Sequence, residues 1–519
     1  MKKILFAAFC ILLISLIAAC SGGENEMTNT ETGYIYIAPP ADGGDCAEYV
    51  GRQITADCKK VILGAGTFSV DGDLVIDCDV EISAGTKINV SESGSLTVNG
   101  DFFAGKRKIF SGGGKIRLNM PETSGYVDWF LNTVSENPND HTALLQKAFD
   151  SMSRFFITDE GYKISEITIA KPVSVTGLGT HRVPINAKTG VNTLFTVRSS
   201  DVSFQNLLIR MASANENNIC FFFDTSADSY ENFSAKDVYI DSAYASFKDA
   251  DGEGTYGNVF LSGITMQTSK DTQLVTHNVN GLTLIDFAVL RRHGAGISCN
   301  MPGVIIENAD GVRMEHLDVN GDWTDTGTDG HGIVMRNCRN VTMRKILMEY
   351  ICGTGFIFEN CSGFDLENIQ TYTFKNVGLY IDGLKDSTIR IVKMTNGNSV
   401  GQDDDASKKE NYIIRNCENV VFDSVISNFA NNTGIVIGGC RNMTINGFMY
   451  SDVRNNLDAF VLLDEGGNEN VVINGFTDKS SVSKRKGKSY SLTGNGITIK
   501  SALLAMSKYY EIITEGGQG

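Results

Sequence analysis

Proline is scarce in this chain, with 7 residues in 519, and so is tryptophan, with 2. Positive charge is also short, because 45 Lys and Arg against 61 Asp and Glu leave a formal charge of −16 at pH 7. With no basic stripe to meet a phosphate backbone, that balance excludes a nucleic-acid partner. An acidic glycan is repelled on average too, although a local group of Lys and Arg can still hold one in a single groove. Long helical patterns are nearly absent, and beyond the first twenty residues no run is apolar and long enough to span a bilayer. At this length a single globular core has stopped growing, so the chain is either several domains or one elongated repeat array. What is abundant favours the array. There are 54 Gly, and short runs of Val, Ile, Phe and Thr are divided by Asn, Asp and Gly, which is strand-and-turn punctuation.

The opening MKKILFAAFCILLISLIAAC sets Lys2 and Lys3 before an apolar run that closes on small residues and a cysteine. That order reads as a secretory signal. Ile17-Ala18-Ala19-Cys20 resembles the bacterial lipobox, which implies that residues 1–19 are a signal peptide, that Cys20 is acylated, and that the chain is held at the bacterial cell envelope, on the outer membrane or cell surface. A plain transmembrane anchor is the alternative, but the run is short and stops in SGGENE. Residues 20–33 are then a flexible tether.

Residues 34–125 carry short alternating segments such as DLVIDCDVEIS, TKINV and GSLTVNG and read as an N-terminal β block. One short helix follows near 140–152, with Asp140 as its N-cap and Ala143, Leu144, Ala148 and Phe149 at helical spacing. The remainder repeats. NCRNVTM from Asn337, NCSGFDL from Asn360, NCENVVF from Asn416 and GCRNMTI from Gly439 are one motif, which NADGVRM at Asn308 and HNVNGLTL at His277 extend upstream. The apolar residue four places before each Asn position falls at Leu274, Val304, Ile333, Phe356, Leu379, Tyr412 and Ile435, with spacings of 30, 29, 23, 23, 33 and 23. The bare coil is therefore 23 residues, and the excess measures loops of about six to ten residues. Three short strands and three turns cannot bury their own apolar face, so coils must stack on copies of themselves. Parallel crossovers are right-handed, and each coil should rise roughly 4.8 Å.

The fold class is thus all-β, a right-handed single-stranded parallel β-helix over residues 126–478, with one short helix in its N-terminal region. Residues 479–519 leave the coil pattern and read as a C-terminal cap or tail. Asn278, Asn308, Asn337, Asn360 and Asn416 form a turn column, where side-chain amides can bond along the axis and Asn tolerates left-handed backbone. In the next column Cys338, Cys361, Cys417 and Cys440 alternate with Val279, Ala309 and Leu384, which makes it apolar and inward. The 12 cysteines fit neither a zinc motif nor a disulfide framework. The four column cysteines read as buried thiols, and a Cys46–Cys58 bridge stays open.

FSGGGKIRL, YVDWF, DHTALLQKAFDS and ITIAKPVSVTGLG together resemble the opening region of pectate-lyase-like β-helix proteins, which include tailspike-type glycan depolymerases. Trp129, Phe130, Asp140, Thr142, Gln146 and Ala148 match that region's WFGA-like segment, DGxxDDT turn and (A/L)xQxA helix, while Leu131-Asn132 and His141 depart from it. The resemblance covers residues 61–478 at the level of architecture and implies a polysaccharide partner. Its motif marks a fold and carries no chemistry. Lyases, glycoside hydrolases and non-catalytic adhesins share that fold, and fold alone does not choose among them. No polygalacturonase-like GDD constellation stands in the required register, and Asp403-Asp404-Asp405 reads as a solvated loop.

Coil phase predicts which residues share a face. Phe287, Leu317, Ile346, Ile369, Val425 and Phe448 align inward, followed two residues on by Val289, Val319, Met348 and Thr371. Outward columns then hold Asp286, His316, Lys345 and Asn368; Ala288, Asp318, Leu347 and Gln370; and Leu290, Asn320, Glu349 and Tyr372. Arg291, Arg292 and His293 follow, near Asp322 and Trp323 in the loop NGDWTDTGTDGHG. Candidate catalytic residues are Asp318, Glu349, His316, Lys345 and Asp322; Trp323, Arg291, Arg292, His293, Tyr372 and Asp286 are candidate substrate contacts. Trp323 suits sugar stacking, or else covers a loop base. A hydrolase needs two carboxylates at a set separation, which Asp318 and Glu349 offer. A lyase needs a base such as Lys345 or His316 and a cation such as Arg291 or Arg292. An ordinary solvated face, serving a glycan-binding or adhesive lipoprotein, is the alternative from a different class. No organic cofactor is called for; Asp322, Asp325 and Asp329 could hold a calcium ion, and His331 could simply mark a turn.

Overall fold

A computed structural model of the chain describes residues 28–29, 33–41, 43–134, 137–158, 161–212, 217–252, 254–267, 271–290, 301–321, 329–395, 410–429, 434–451 and 467–478, with short strands at 490–491, 497–499, 502–504 and 512–513. It divides into two compact units, residues 1–135 and 136–519. No helix among the described residues is long and apolar enough to cross a membrane.

The first unit is a three-faced coil. Lys60–Leu63, Gly66–Val70 and Asp73–Ile76 make one circuit, and Asp79–Ile82, Thr86–Val90 and Ser95–Val98 make the next. Each strand pairs in parallel with its counterpart one circuit on, and a third circuit follows at Phe102–Phe103, Phe110–Ser111 and Lys115–Leu118. Burial alternates residue by residue, as in Asp73–Ile76, because a pleated strand sends successive side chains to opposite sides. Helix α1, Cys46–Gln53, escapes a reading by periodicity because only Cys46 and Val50 turn inward, which is too few to show a helical stripe. Asp45 caps it, its carboxylate accepting from the Ala47 N–H at 3.0 Å. Trp129 and Phe130 lie fully buried on the turn Val127–Phe130, and Trp129 Nε1 donates to the Gly105 carbonyl at 3.0 Å. A Cys46–Cys58 contact does not form. Cys46 is fully buried, and the Cys58 sulfur lies instead 3.1 Å from Cys78 Sγ.

The second unit opens with helix α2, Thr142–Ser151, which buries Leu144, Leu145, Ala148 and Phe149. His141 takes the N-cap position without a side-chain bond, and Asp140, one residue earlier, performs the capping. Its Oδ1 accepts from the Thr142 N–H at 3.0 Å and from Thr142 Oγ1 at 2.5 Å. Hydrogen bonds from Lys188 and Thr142 hold the Asp140 carboxyl down at about 2. Short strands from Ile167–Ile169 to Ile435–Gly438 then form an 11-stranded parallel sheet, while long strands such as Arg339–Ile351 stack into a second.

The coil phase holds at every step tested by pairing. Leu274, Val304, Ile333, Phe356, Leu379, Tyr412 and Ile435 are successive register partners. Phe287, Leu317, Ile346, Ile369, Val425 and Phe448 are too, with Val392 filling the coil between Ile369 and Val425. Parallel ladders joined by same-sense crossovers make this a right-handed parallel β-helix. Ile497–Ile499 and Ala502–Leu504 pair in parallel with Val471–Ile473 and Phe476–Asp478, so the ladder continues past residue 478, where the sequence pattern fades.

The corners differ from expectation. Asp286, His316, Lys345 and Asn368 have φ of 50°, 54°, 55° and 58°, so each long strand bends there and these residues line a corner between two faces. They are not positions along a flat strand, and the left-handed geometry is where Asn and Asp are tolerated best. The Asn column is left-handed at Asn308, Asn337, Asn360 and Asn416. Asn337 Nδ2 donates to Asn308 Oδ1 at 3.1 Å, but Gly383 interrupts the run, so Asn416 donates to Asp382 at 2.7 Å. Asn278 turns its amide to the Gly252 carbonyl instead. A further ladder runs from Asn470 to Asn442, Asn419 and Asp386, at 2.9, 3.3 and 2.9 Å. Cys338, Cys361, Cys417 and Cys440 are buried and unbridged. Inside, the Phe195, Phe221 and Phe247 rings stack at 5.2 Å each, with Phe204 and Phe233 edge-on to Phe221.

Candidate functional site

Three long connections in the second unit follow long strands whose ends lie in one register. Residues 291–303, 321–332 and 396–411 each follow a long strand and precede a short one. The face that feeds them carries two outward columns, Ala288, Asp318, Leu347, Gln370 and Lys393, and then Leu290, Asn320, Glu349 and Tyr372, the second of which ends on the buried Thr395. Asp318 is exposed and Glu349 half-buried. They stand on adjacent strands two residues apart, so strand rise and strand spacing separate their α-carbons by roughly 8 Å. Neither makes an ion pair or side-chain hydrogen bond with a described residue.

Along the corner beside this face, His316 bridges its two neighbours. His316 Nδ1 lies 3.3 Å from Asp286 Oδ1, and His316 Nε2 lies 3.0 Å from Lys345 Nζ. Tyr372 is also engaged. Its hydroxyl accepts from Lys393 Nζ at 2.8 Å and donates to Gln370 Oε1 at 3.0 Å. Lys393 escaped the sequence reading because its coil has Gly383 where the motif has Asn, and because residues 396–411 break the spacing after it. The corner tightens at Gly321, where an added Cβ would come within 2.2 Å of the Tyr350 carbonyl.

On the far side of the bend, cations and carboxylates pair off. Arg344 reaches Asp365 at 2.6 Å and Glu367 at 3.2 Å, and Arg390 pairs with Asp365 as well. Burial works to raise the Asp365 carboxyl, but hydrogen bonds from Arg344 and Arg390 outweigh it and hold the group below the usual carboxylate range. Arg313 likewise holds Glu315 down. Another column alternates in charge, with Arg336 at 2.8 Å from Glu307 and 2.6 Å from Glu359. Asp249, 2% exposed, accepts from the His277 backbone N–H at 2.6 Å and bonds His277 Nδ1 at 2.8 Å, which buttresses the Asn278 turn. Their signal in sequence was an ordinary coil position, so none stood out.

Arg291, Arg292, His293, Asp322, Trp323 and Asp325 lie outside the described residues. Asp329 is exposed, and among the described residues no group of three or more His, Cys, Asp or Glu is placed to hold a metal ion. His331 Nδ1 accepts from the Thr354 N–H at 2.9 Å, and burial pushes its pKa below the usual imidazole value, so it acts as a turn anchor.

Stacked parallel coils with a half-polar outer face define a right-handed parallel β-helix protein. In structure the chain is similar to the A-module of the mannuronan C-5 epimerase AlgE6 of Azotobacter vinelandii, at 12% identity and a TM-score of 0.43, covering 74% of this chain and 100% of that one. The catalytic unit of the GH87 α-1,3-glucanase from Streptomyces thermodiastaticus gives 9% identity and a TM-score of 0.38, covering 75% and 70%. The enzymatically active domain of tailspike protein 2 of bacteriophage CBA120 gives 16% and 0.28 over 74% of this chain, which spans 47% of that one. No protein-family model and no curated protein matches the sequence.

Proposed function

We propose that this protein acts on an extended polysaccharide laid along the outer face of the second unit, and that it hydrolyses the chain with Asp318 and Glu349. The observation that carries the reading is that these two carboxylates share one face while the carboxylates across the bend are tied to arginines. With α-carbons roughly 8 Å apart, the two side chains can set their carboxyls within the 6.5–9.5 Å separation at which one carboxyl protonates the leaving oxygen and the other activates a water on the opposite side of the sugar. Asn320, Gln370, Tyr372 and Lys393 supply hydrogen-bonding groups on either side.

Elimination from a uronate is less well supported. Lys345 is engaged by His316 and His316 by Asp286, while the cations such a lyase would take, Arg291 and Arg292, lie outside the described residues. Incubation of the purified full chain with a panel of polysaccharides tests the assignment. New reducing ends without absorbance near 235 nm are expected, and Asp318→Asn and Glu349→Gln should each cut the rate at least about 100-fold. Absorbance at that wavelength would convert the reading to elimination. Binding without either product would make the protein a glycan-binding lipoprotein.

Export and anchoring at the envelope through Cys20 rest on the first twenty residues. Fatty-acid label carried by the wild type and lost in Cys20→Ser is the expected result; equal labelling of both would refute the anchor.

A further inference from the structure

Three cysteines of the first unit are described, and they differ in placement. Cys46 faces the interior under α1 beside Leu63, Phe68 and Val70. Cys58 and Cys78 occupy the same corner of successive circuits, Cys58 shortly before the strand Lys60–Leu63 and Cys78 directly before its partner Asp79–Ile82. The Asp79 N–H donates to the Lys59 carbonyl at 3.1 Å, which ties the two corners together. The sulfurs lie 3.1 Å apart. Cys58 is half-buried and reachable from solvent, whereas Cys78 is 8% exposed.

We propose that Cys58 and Cys78 are an oxidisable pair that closes into a disulfide across two neighbouring rungs of the first unit. The oxidant is a small disulfide of the oxidised-glutathione class. The Cys58 thiolate attacks one sulfur of that disulfide and expels the first thiol as a thiolate, which takes up a proton. Cys78 then loses its proton and attacks the Cys58 sulfur of the mixed disulfide, expelling the second thiol. Two protein thiols and one small disulfide thus become one protein disulfide and two small thiols, and two electrons pass to the oxidant. Exposure assigns the order, and so does chemistry, because burial and the Cys58 thiol push the Cys78 thiol up to about 12, which makes it a poor first nucleophile. Closure needs the sulfurs to approach to about 2.05 Å. The bond joins two strands near the start of their sheet, where a solenoid rung has few neighbours to hold it.

The full chain, purified under reductant, is incubated with oxidised glutathione, quenched with N-ethylmaleimide, digested and mapped by mass spectrometry with and without dithiothreitol. A peptide pair linked through Cys58 and Cys78, released by dithiothreitol, is expected in most of the molecules. The same link should survive in Cys46→Ser and vanish in Cys58→Ser, with the far-UV circular dichroism of each variant matching the wild type. Full alkylation of both cysteines after prolonged oxidation, glutathione left on Cys58, or a link from Cys58 to Cys46 would each overturn the pairing. The wild-type peptide map alone decides among these outcomes.

Discussion

Phe221→Ala tests whether stacked rings hold the rungs of the second unit together. Phe221 is fully buried, lies 5.2 Å from both Phe195 and Phe247, and meets Phe204 and Phe233 at 5.0 and 5.7 Å. Truncating a buried Phe costs about 3–5 kcal/mol through lost transfer energy and the cavity left behind. The upper part of that range applies where the surroundings cannot collapse. Here the rungs above and below are fixed by ladder hydrogen bonds through Ile219–Phe223 and its partners, so the hole stays open. Each aromatic pair adds about 0.5–1.5 kcal/mol beyond area, and overlap with the cavity cost leaves a total of about 4 kcal/mol. Phe260→Ala is the control, since Phe260 is 39% exposed and should cost about 0.5 kcal/mol or less. Urea unfolding followed by far-UV circular dichroism measures both. A loss below about 1.5 kcal/mol for Phe221→Ala, or one equal to that of Phe260→Ala, would refute the reasoning.

Two further perturbations follow from the corners and the helix cap. Asn337 has φ of 53°, so Asn337→Ala should cost about 1–2 kcal/mol, while Asn337→Gly should recover part of it; thermal melts that rank Ala above Gly would contradict the left-handed column. Asp140 has its folded pKa depressed from 3.8 to about 2, so its contribution is present above the unfolded pKa and lost as pH falls from about 4 to about 2. Both partners are about one third exposed, so solvent screening reduces that contribution to about 1 kcal/mol. Lys188→Met should therefore be less stable than wild type near pH 6 and nearly equal to it near pH 2. A gap that widens on acidification would contradict this sign.

The repeat was legible because its strongest constraint is internal. Leu274 through Ile435 must face the same core, so their spacing survives loops of different length. The bends leave a trace that strand periodicity alone does not interpret. Burial alternates up to Leu284, Met314, Met343 and Leu366 and resumes three residues on at Phe287, Leu317, Ile346 and Ile369, so the alternation breaks at Asp286, His316, Lys345 and Asn368, and such a break marks a kink or bulge without telling which residue is left-handed. Helix α1 was hidden, since eight residues with two inward positions give no readable period. For the face itself, sequence brought Asp318, Glu349 and Tyr372 into neighbouring columns through coil phase. It missed Lys393, whose coil lacks the Asn that marked the others, and the Arg344–Asp365–Arg390 group, whose significance lies in pairing across strands and not in the order along one.

The common exit of residues 291–303, 321–332 and 396–411 separates two kinds of change that compete in most folds. An inserted or deleted residue at that corner shifts no rung, because the next short strand resumes the same register. A residue inserted within a strand would turn every following side chain of that strand inside out. Variation in length is thus tolerated at this corner, which borders the candidate carboxylates. Relatives should differ there in loop length while keeping the columns of Phe287 and Leu274 intact.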